Sequence, residues 1–427
     1  MWQLREWQKI NETIENLRDY MIRLQSEITA IPAIGPENGG DGEAERGKYL
    51  LEVLKELTAN LPEERYQISE YNAPDVRVKS NYRPNLIATF RGIYSKPKIW
   101  IMTHMDIVPP GPLNLWETDP YQAVVKDGKI YGRGTEDNQQ ELVASLAAVK
   151  AIKALGFNPV YDVNLMFVAD EETGSQYGAG YVLNNFSQLF SSDDIYIIPD
   201  AGNSQGSLIE IAEKSILWLK FIIKGKQIHA AAAPEGINAH RAGAYLIVAL
   251  DKMFKKKYKK RNRLFSPPIT TAEPTKKEAN VPNVNTVPGE DIFYFDCRVL
   301  PDYQLPEVIA DIKSEVEKIE KRFGVQVTIE NAQTAEAASS TSPDALVVKM
   351  LKKAIKEVYR INAKPGGIGG GTVAALFRKK GLQACVWSKV NNNAHKPNEF
   401  SVIENMVGDA KVYAYLLGLE LSNGQLK

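Results

Sequence analysis

Apolar runs alternate with longer amphipathic stretches through the first half of the chain. The runs predict four strands, at 86–90, 98–103, 163–169 and 195–199. Between the second and third strands, residues 140–155 carry apolar side chains at helical spacing and predict a helix. Strands that alternate with helices favour an α/β fold, with a mainly parallel sheet covered on both faces.

The middle third of the chain has a different order of elements. It predicts a strand-rich stretch, a helix, strands on both sides of a Pro-Gly turn, a helix and a short strand, at 207–224, 239–254, 283–299, 305–323 and 325–330. The order β-α-β-β-α-β is typical of the ferredoxin-like fold. Residues 267–282 lack such a pattern, and we predict a mobile loop there.

The length of the chain predicts two domains. A single hydrophobic core stops growing at about 250–300 residues, and this chain has 427. Helical and strand patterns resume after the middle third. We therefore predict an α/β domain formed by residues 1–206 and 331–427, with a ferredoxin-like α+β domain inserted at 207–330.

Composition and charge exclude several classes of partner. The 52 basic and 52 acidic residues cancel, so there is no overall field to attract nucleic acid or an anionic membrane. The basic run 255–263 is predicted to be a solvated loop that follows a helix, with contact to a polyanion as the minor alternative. The charged N-terminus and the lack of a run of about 18 apolar residues predict neither a signal peptide nor a membrane span. Two cysteines, Cys297 and Cys385, give no disulfide framework and predict a cytoplasmic location.

Side chains that can bind metal follow several of the predicted strands. They are His104, Asp137, Glu171, Glu172, Asp200 and His395. A single histidine after a buried strand is more often structural, and two adjacent glutamates can form a solvated turn. However, ligands bind outside the carboxyl ends of strands in open α/β sheets. Histidine nitrogen and carboxylate oxygen suit Zn²⁺, and a carboxylate can bridge two ions. The joint pattern therefore favours a two-zinc site.

Several motifs occur in a specific order and spacing. They lie at 103–106, 116–137, 170–175, 225–239, 285–298 and 369–372. Together they resemble the co-catalytic zinc peptidases and deacylases, which include acetylornithine deacetylase, succinyl-diaminopimelate desuccinylase and carboxypeptidase G. The resemblance spans nearly the whole chain. It implies a hydrolase that uses two zinc ions, with Co²⁺ or Mn²⁺ able to substitute, to cleave an amide bond in a small carboxylate-bearing substrate.

The resemblance also implies a role for each residue of the metal site. The implied ligands are His104 and Asp200 on one zinc, Glu172 and His395 on the other, and Asp137 as the bridge. Asp106 would orient His104 through its second ring nitrogen. Glu171 would be the general base and later the acid. Both adjacent glutamates can reach one site only if the chain turns, and Thr173–Gly174 supplies a turn.

The inserted domain would act as a lid and a dimerisation domain. By resemblance, His229 reaches the zinc ions of a second subunit in a homodimer. Asn285 and Arg298, with the backbone at Gly370, Gly371 and Thr372, would bind a substrate carboxylate. Each assignment has a structural alternative: His229 could be a packed core histidine, Arg298 a salt-bridge partner of Asp296 or Asp302, and the glycine run a helix-entry turn. Many relatives have Asp where this chain has Val373.

Three functions remain open from the sequence. The first is hydrolysis of an N-acyl amino acid, and the second is a dipeptidase or exopeptidase activity on the same fold. The third is an inactive, metal-stabilised binding protein, which an intact Glu171 argues against because a binder needs no general base. Asp200, rather than Glu, weakly favours peptide substrates. The expected partners are thus a small-molecule or dipeptide substrate and a second copy of the chain.

Overall fold

The computed structural model describes residues 2–422 and 425–426. The chain forms two compact units. Unit 1 comprises Met1–Ile211, Thr341–Pro365 and Thr372–Lys427, and unit 2 comprises Ala212–Ser340 and Gly366–Gly371. The domain bounds given by the sequence, 1–206, 207–330 and 331–427, stay a prediction. Within the described residues, no helix is both long enough and apolar enough to cross a membrane.

The helices of the described residues vary from one to five turns. They are α1 (Leu4–Asn16), α2 (Arg18–Thr29), α3 (Ala44–Thr58), α4 (Gln140–Ala154), α5 (Ala179–Asn185), α6 (Ala239–Lys257), α7 (Leu305–Phe323), α8 (Leu346–Tyr359), α9 (Ala374–Lys379) and α10 (Ile403–Leu417). Most of α4 is buried on all sides, as expected for a helix that packs between a sheet and other helices.

The strands of the described residues are more numerous and mostly short. They are β1 (Tyr66–Glu70), β2 (Ala73–Pro74), β3 (Tyr82–Arg83), β4 (Leu86–Phe90), β5 (Tyr94–His104), β6 (Val124–Lys126), β7 (Lys129–Tyr131), β8 (Tyr161–Val168), β9 (Ile195–Ile198), β10 (Leu208–Glu213), β11 (Ser215–Lys224), β12 (Ile228–His229), β13 (Thr271–Lys277), β14 (Thr286–Val287), β15 (Glu290–Val299), β16 (Gln326–Ala335), β17 (Lys364–Ile368), β18 (Ala384–Val386), β19 (Phe400–Val402), β20 (Leu421–Ser422) and β21 (Gln425–Leu426).

The largest sheet has eight strands in the order β1-β4-β8-β5-β9-β18-β10-β17. Its centre is parallel, because β5 pairs in parallel with β8 and β9, and β9 with β18. Antiparallel pairs lie towards the margins, between β1 and β4, β4 and β8, and β10 and β18. Strand β8 is buried along its whole length, as parallel strands covered on both faces are. The predicted α/β class is confirmed.

Unit 2 contains a four-stranded antiparallel sheet in the order β13-β15-β11-β16. Along the chain its elements run β11-α6-β13-β15-α7-β16, which confirms the predicted ferredoxin-like order. Side chains of β15 alternate between buried and less buried positions, so one face of the sheet points into a core. That core includes the stacked rings of Phe221 and Phe293, whose centroids lie 5.0 Å apart.

The predicted mobile loop at 267–282 is wrong in its centre, which forms the edge strand β13. The strand is polar and contains Pro274, so its sequence does not read as a strand. An edge position tolerates proline because one side of the strand has no partner, and the register of pairing with β15 shifts between Pro274 and Lys276. The predicted loop at 255–263 also begins too early, because α6 continues to Lys257.

Candidate metal centre

Three parallel strands of unit 1 deliver polar side chains to one edge of the large sheet. His104 is the last residue of β5, Asp170 lies just after β8, and Asp200 lies just after β9. Parallel neighbours end at the same edge, so the side chains converge there. Because each apolar run predicts a strand, the ends of these runs indicated where the polar side chains would meet.

A tight turn after β8 brings two adjacent glutamates to the same side. Glu171–Thr173 forms a single 3₁₀ turn, between Asp170 at φ 61° and Gly174 at φ 113°. Glycine adopts such a left-handed conformation without a Cβ clash. The turn occurs at the Thr173–Gly174 position that the sequence predicted, and it replaces the strand geometry in which Glu171 and Glu172 would point in opposite directions.

The carboxylate of Asp137 lies between two histidines. Its Oδ1 is 2.9 Å from Nε2 of His104, and its Oδ2 is 3.1 Å from Nε2 of His395. Asp200 Oδ1 is 3.2 Å from the same nitrogen of His104, and Glu172 Oε1 is 3.1 Å from Nε2 of His395. The two histidines thus each face the shared Asp137 and one carboxylate of their own, which is the grouping implied by the resemblance.

Two sets of ligand atoms are compact enough to hold an ion. The atoms of His104, Glu171 and Asp200 lie within 4.8 Å of one another, as do those of His104, Asp137 and Glu172. Imidazole nitrogen and carboxylate oxygen suit divalent metals such as zinc. The first set includes Glu171, to which the sequence analysis gave the role of a base and not of a ligand.

Four carboxylates, of Asp137, Glu171, Glu172 and Asp200, lie close together in this partly buried site. The pKa values of the two glutamates are raised there. Burial raises the pKa of Glu171 well above its usual value, and the nearby Asp200 carboxylate raises it further. Burial also raises the pKa of Glu172 to about 7. Hydrogen bonds to Asp137 and Glu172 raise the pKa of His395 to about 10. Excess negative charge of this kind fits divalent cations, and their binding has to displace protons from the histidines.

Asp106 supports the site in two ways. Its backbone oxygen lies 3.0 Å from Nδ1 of His104, so the Nδ1–H of His104 donates there and Nε2 keeps its lone pair for a metal. Its carboxylate accepts the backbone N–H groups of Glu171 and Glu172, at 3.0 and 2.9 Å. The carboxylate lies farther from Nδ1, at 3.5 Å. Asp106 therefore anchors the glutamate turn as well as the histidine.

Glu136, next to Asp137, holds the loop that carries His395. Its carboxylate accepts backbone N–H groups from Asn391, from Asn393 at 2.6 Å and from Ala394 at 3.1 Å. These are the residues directly before His395 in the sequence. Glu136 therefore fixes the backbone on which that histidine stands, although it does not contact the imidazole.

Glu399, in turn, fixes the loop that carries Asp137. It lies just after His395, and its carboxylate accepts backbone N–H groups from Gly134, Glu136 and Asp137 at 3.1, 3.0 and 3.2 Å. Arg133 pairs with it at 2.5 Å. We call Glu136 and Glu399 the loop carboxylates, because each fixes the loop on which the other stands. The sequence analysis missed both, and the only signal was their closeness in sequence to Asp137 and His395.

Two of the predicted residues of unit 2 lie side by side at a small antiparallel sheet formed by β12 and β14. His229 pairs with Thr286 where β12 meets β14, and Asn285 O accepts the N–H of Ala230 at 2.8 Å. His229 is exposed, so its alternative as a packed core histidine is wrong. Its Nδ1 accepts the N–H of Ala231 at 3.1 Å. The neutral ring therefore carries its proton on Nε2, as a hydrogen-bond donor requires.

Arg298 of unit 2 pairs with Asp296. Nε and Nη2 lie 2.7 and 3.0 Å from the two oxygens of Asp296, and Nη1 donates to Gly369 O at 2.9 Å. The structural alternative is thus observed for Asp296 but not for Asp302, which accepts from Asn262. A Cβ placed on Gly369 or Gly370 would meet no atom within 4 Å.

Val373, which follows the predicted substrate-binding backbone, has an apolar role. In unit 1 it is buried in one core cluster with Ala374 and Phe377, at the start of α9. Thr372, the last residue of the predicted substrate-binding set, directly precedes it. A valine in this place therefore contributes to packing and not to hydrogen bonding.

The chain is similar to several known proteins. The sequence model of peptidase family M20/M25/M40 matches residues 100–418. A metallohydrolase of Methanococcus maripaludis, described as uncharacterized, is 41% identical over 95% of this chain and 100% of its own length. A succinyl-diaminopimelate desuccinylase of Nitratiruptor is 27% identical over 69% of this chain and 77% of its own.

A solved structure shows the same fold. Human carnosine dipeptidase 1 superposes with a TM-score of 0.72 at 17% identity, over 96% of this chain and 98% of that chain. The family match extends over more than half of the chain, and the methanogen relative is similar along its full length. The chain therefore belongs to peptidase family M20/M25/M40 and is a metallohydrolase.

Proposed function

We propose that the protein is a two-zinc amidohydrolase that cleaves the amide bond of an N-acyl amino acid. The observation that best supports this is the position of Asp137, with one carboxylate oxygen 2.9 Å from His104 and the other 3.1 Å from His395. A carboxylate so placed can bridge two ions, which lie about 3.5–4 Å apart in two-metal hydrolases. His104 and Asp200 would complete the ligands of one ion, and Glu172 and His395 would complete those of the other.

The proposed reaction uses Glu171 to move a proton. Two bound zinc ions would supply an acidified water and polarise the substrate carbonyl. Glu171 accepts the proton of that water and then delivers it to the nitrogen of the leaving amine. Burial of Glu171 raises its pKa, which brings a carboxylate closer to the pH at which it can both accept and donate.

Unit 2 is proposed to bind the rest of the substrate. Nδ1 of His229 accepts the N–H of Ala231. The Nε2–H takes no part in that bond and can donate to an oxyanion. Asn285, Arg298 and the backbone of Gly370, Gly371 and Thr372 are assigned to the substrate carboxylate. Nε and Nη2 of Arg298 already donate to Asp296. Nη1 donates to Gly369 O, and it would exchange this acceptor for the substrate carboxylate.

A substrate panel separates this proposal from its alternatives. The zinc-loaded protein is expected to hydrolyse N-succinyl and N-acetyl amino acids faster than dipeptides of the same leaving amino acid. The similarity to a desuccinylase supports this direction, whereas Asp200 and the dipeptidase fold favour the peptide alternative. Release of the free amine is measured, with chelator-treated protein as the control.

The other outcomes are equally clear. Hydrolysis of dipeptides alone would establish a dipeptidase or exopeptidase. Binding of the panel compounds without release of amine, by protein with a full metal content, would establish the inactive binding protein.

We also propose a homodimer in which His229 of one subunit serves the active site of the other. A mixture of inactive His229→Ala and inactive Glu171→Gln subunits is then expected to recover activity, because each mixed dimer holds one site with both groups intact. Random exchange of a two-fold dimer would restore about a quarter of the wild-type sites.

Sedimentation gives the oligomeric state, and each variant mixed with itself is the control. Exchange is confirmed with two different affinity tags. If the tags show mixed dimers but activity stays absent, His229 acts within its own chain or not at all.

A further inference from the structure

Unit 1 contains a cavity of about 280 Å³ near the start of β8, at the end of that strand away from the candidate metal centre. Phe90, Val163 and Lys153 help to line it. Phe90 is the last residue of β4 and pairs with Val163 near the start of β8. Strand β8 then runs on to the Glu171 turn, so the cavity and the candidate metal centre lie at opposite ends of that strand.

The length of helix α4 also shows that the cavity and the candidate metal centre lie far apart. It begins at Gln140, shortly after Asp137, and Lys153 lies in its last turn. A helix of 15 residues is about 22 Å long at 1.5 Å per residue. The cavity is thus a separate place, and no residue with a proposed catalytic or metal-binding role lines it.

The ammonium group of Lys153 is buried at this cavity without a hydrogen-bond acceptor. Its Nζ has almost no exposed surface, and no described residue accepts a hydrogen bond from it. Among the described residues, the ring of Phe90 provides the compensating contact, with its centroid 4.7 Å from Nζ. A buried cation is strongly destabilising unless an anion or hydrogen bonds compensate it. An aromatic face compensates only part of this.

Burial and the positive charge of Arg65 lower the pKa of Lys153 to about 8. At pH 7 the group is therefore still mostly protonated. It can then donate three hydrogen bonds, and the structure supplies none of their acceptors within the described residues.

The charged groups around the cavity all have one sign. Its described lining contains three cationic side chains, Arg65, Arg91 and Lys153, and no acidic one. Arg91 is already paired with Asp162 at 2.8 Å, whereas Arg65 donates to the amide oxygen of Asn158. Arg65 and Lys153 therefore line the cavity without a carboxylate partner among the described residues.

The remaining walls are mainly apolar. Phe90, Val149, Ile152, Phe157, Val163 and Leu417 provide most of them. The volume is just below the range of about 300–1,000 Å³ typical of sites for drug-sized ligands. Such a cavity fits a small molecule with an apolar body and one anionic group, and is too apolar for a purely inorganic ion to fill.

We propose that this cavity binds a small organic monocarboxylate with a short apolar chain or an aromatic ring. Binding turns the covered ammonium of Lys153 into the cavity, where the carboxylate pairs with Lys153 and Arg65. The body of the ligand packs against Phe90, Phe157 and Leu417. The proposal does not depend on the function proposed for the metal centre.

The test uses 3-phenylpropanoate as the probe and 3-phenylpropanamide as its uncharged analogue. Binding to the full-length, zinc-loaded protein is measured by calorimetry and by the rise in melting temperature that a ligand of the folded state produces. All proteins carry Arg298→Ala, which removes one other proposed carboxylate site, and each measurement is repeated on metal-free protein, in which no zinc ion can bind the carboxylate. The acid is expected to bind at least tenfold more tightly than the amide.

Variants of two lysines on α4 locate the site. Lys153→Met keeps the length of the apolar stem but removes the charge, and it is expected to weaken binding of the acid at least tenfold. Lys150→Met is the matched control on the same helix; its ammonium lies over the ring of Tyr20, and the affinity is expected to stay unchanged.

Three results would overturn the proposal. They are equal affinity for the acid and the amide, binding that survives Lys153→Met, and binding of inorganic phosphate as tight as that of phenylpropanoate. The comparison of acid with amide uses one protein only, so it remains decisive even if Lys153→Met alters stability.

Discussion

Turnover of the Glu171→Gln variant is expected to fall by at least about 10²–10⁴-fold, the range typical for loss of a general base, with metal content unchanged. Glutamine keeps the size and polarity of the side chain but cannot accept the proton of a metal-bound water. The measurement is the initial rate on the best substrate of the panel, together with elemental analysis of the same sample.

The neighbouring residue supplies the matched control. Glu172, on the same turn, lies 3.1 Å from His395 and is proposed as a ligand. Glu172→Gln is therefore expected to lower the metal content as well as the rate. The structure makes this comparison necessary, because the ligand atoms of Glu171 also lie within 4.8 Å of those of His104 and Asp200. If Glu171→Gln loses metal and Glu172→Gln does not, the two roles are reversed.

Asp137→Asn is expected to reduce the metal content from two ions to one or none. The reason is geometric, since each oxygen of Asp137 faces a different histidine. An asparagine offers one oxygen and one N–H₂ group, and the latter cannot bind a cation. Activity is expected to fall with the metal content, because both ions take part in the proposed reaction.

The control for this change is Asp127→Asn, in the same motif of the sequence. Asp127 is exposed at a tight turn with φ 52°, a conformation that asparagine tolerates well. Elemental analysis of protein prepared without chelator measures both variants. Two full equivalents of metal in Asp137→Asn would refute the bridge, and so would less than one equivalent in the wild type at saturating zinc.

Much of the fold and of the metal centre could be predicted because the signals are local. Apolar runs mark β5, β8 and β9. A residue that directly follows a parallel strand must lie at the carboxyl end of the sheet. That places His104 and Asp200 without knowledge of any contact. The turn at Gly174 is equally local, since glycine marks a positive φ.

Features that depend on distant partners could not be predicted in this way. The sequence near Lys153 shows a cation in the last turn of a helix, which normally interacts favourably with the helix dipole in solvent. Nothing there indicates that its ammonium is buried. The pairing of Arg298 with Asp296 was one of several open alternatives, and the polar strand β13 forms only because β15 offers it an edge.

The positions of the loop carboxylates in the sequence also limit when a newly made chain can complete the proposed metal site. Glu399 lies 263 residues after Glu136, so a ribosome that adds about 5–20 residues per second needs roughly 13–50 s to make the second after the first. During this interval Asp137 is present, but its loop lacks the carboxylate that accepts its backbone N–H groups. His395 is made only near the end of the interval. The proposed ligand set is therefore complete only when translation is almost finished, and we expect the metal to be inserted after synthesis of the chain.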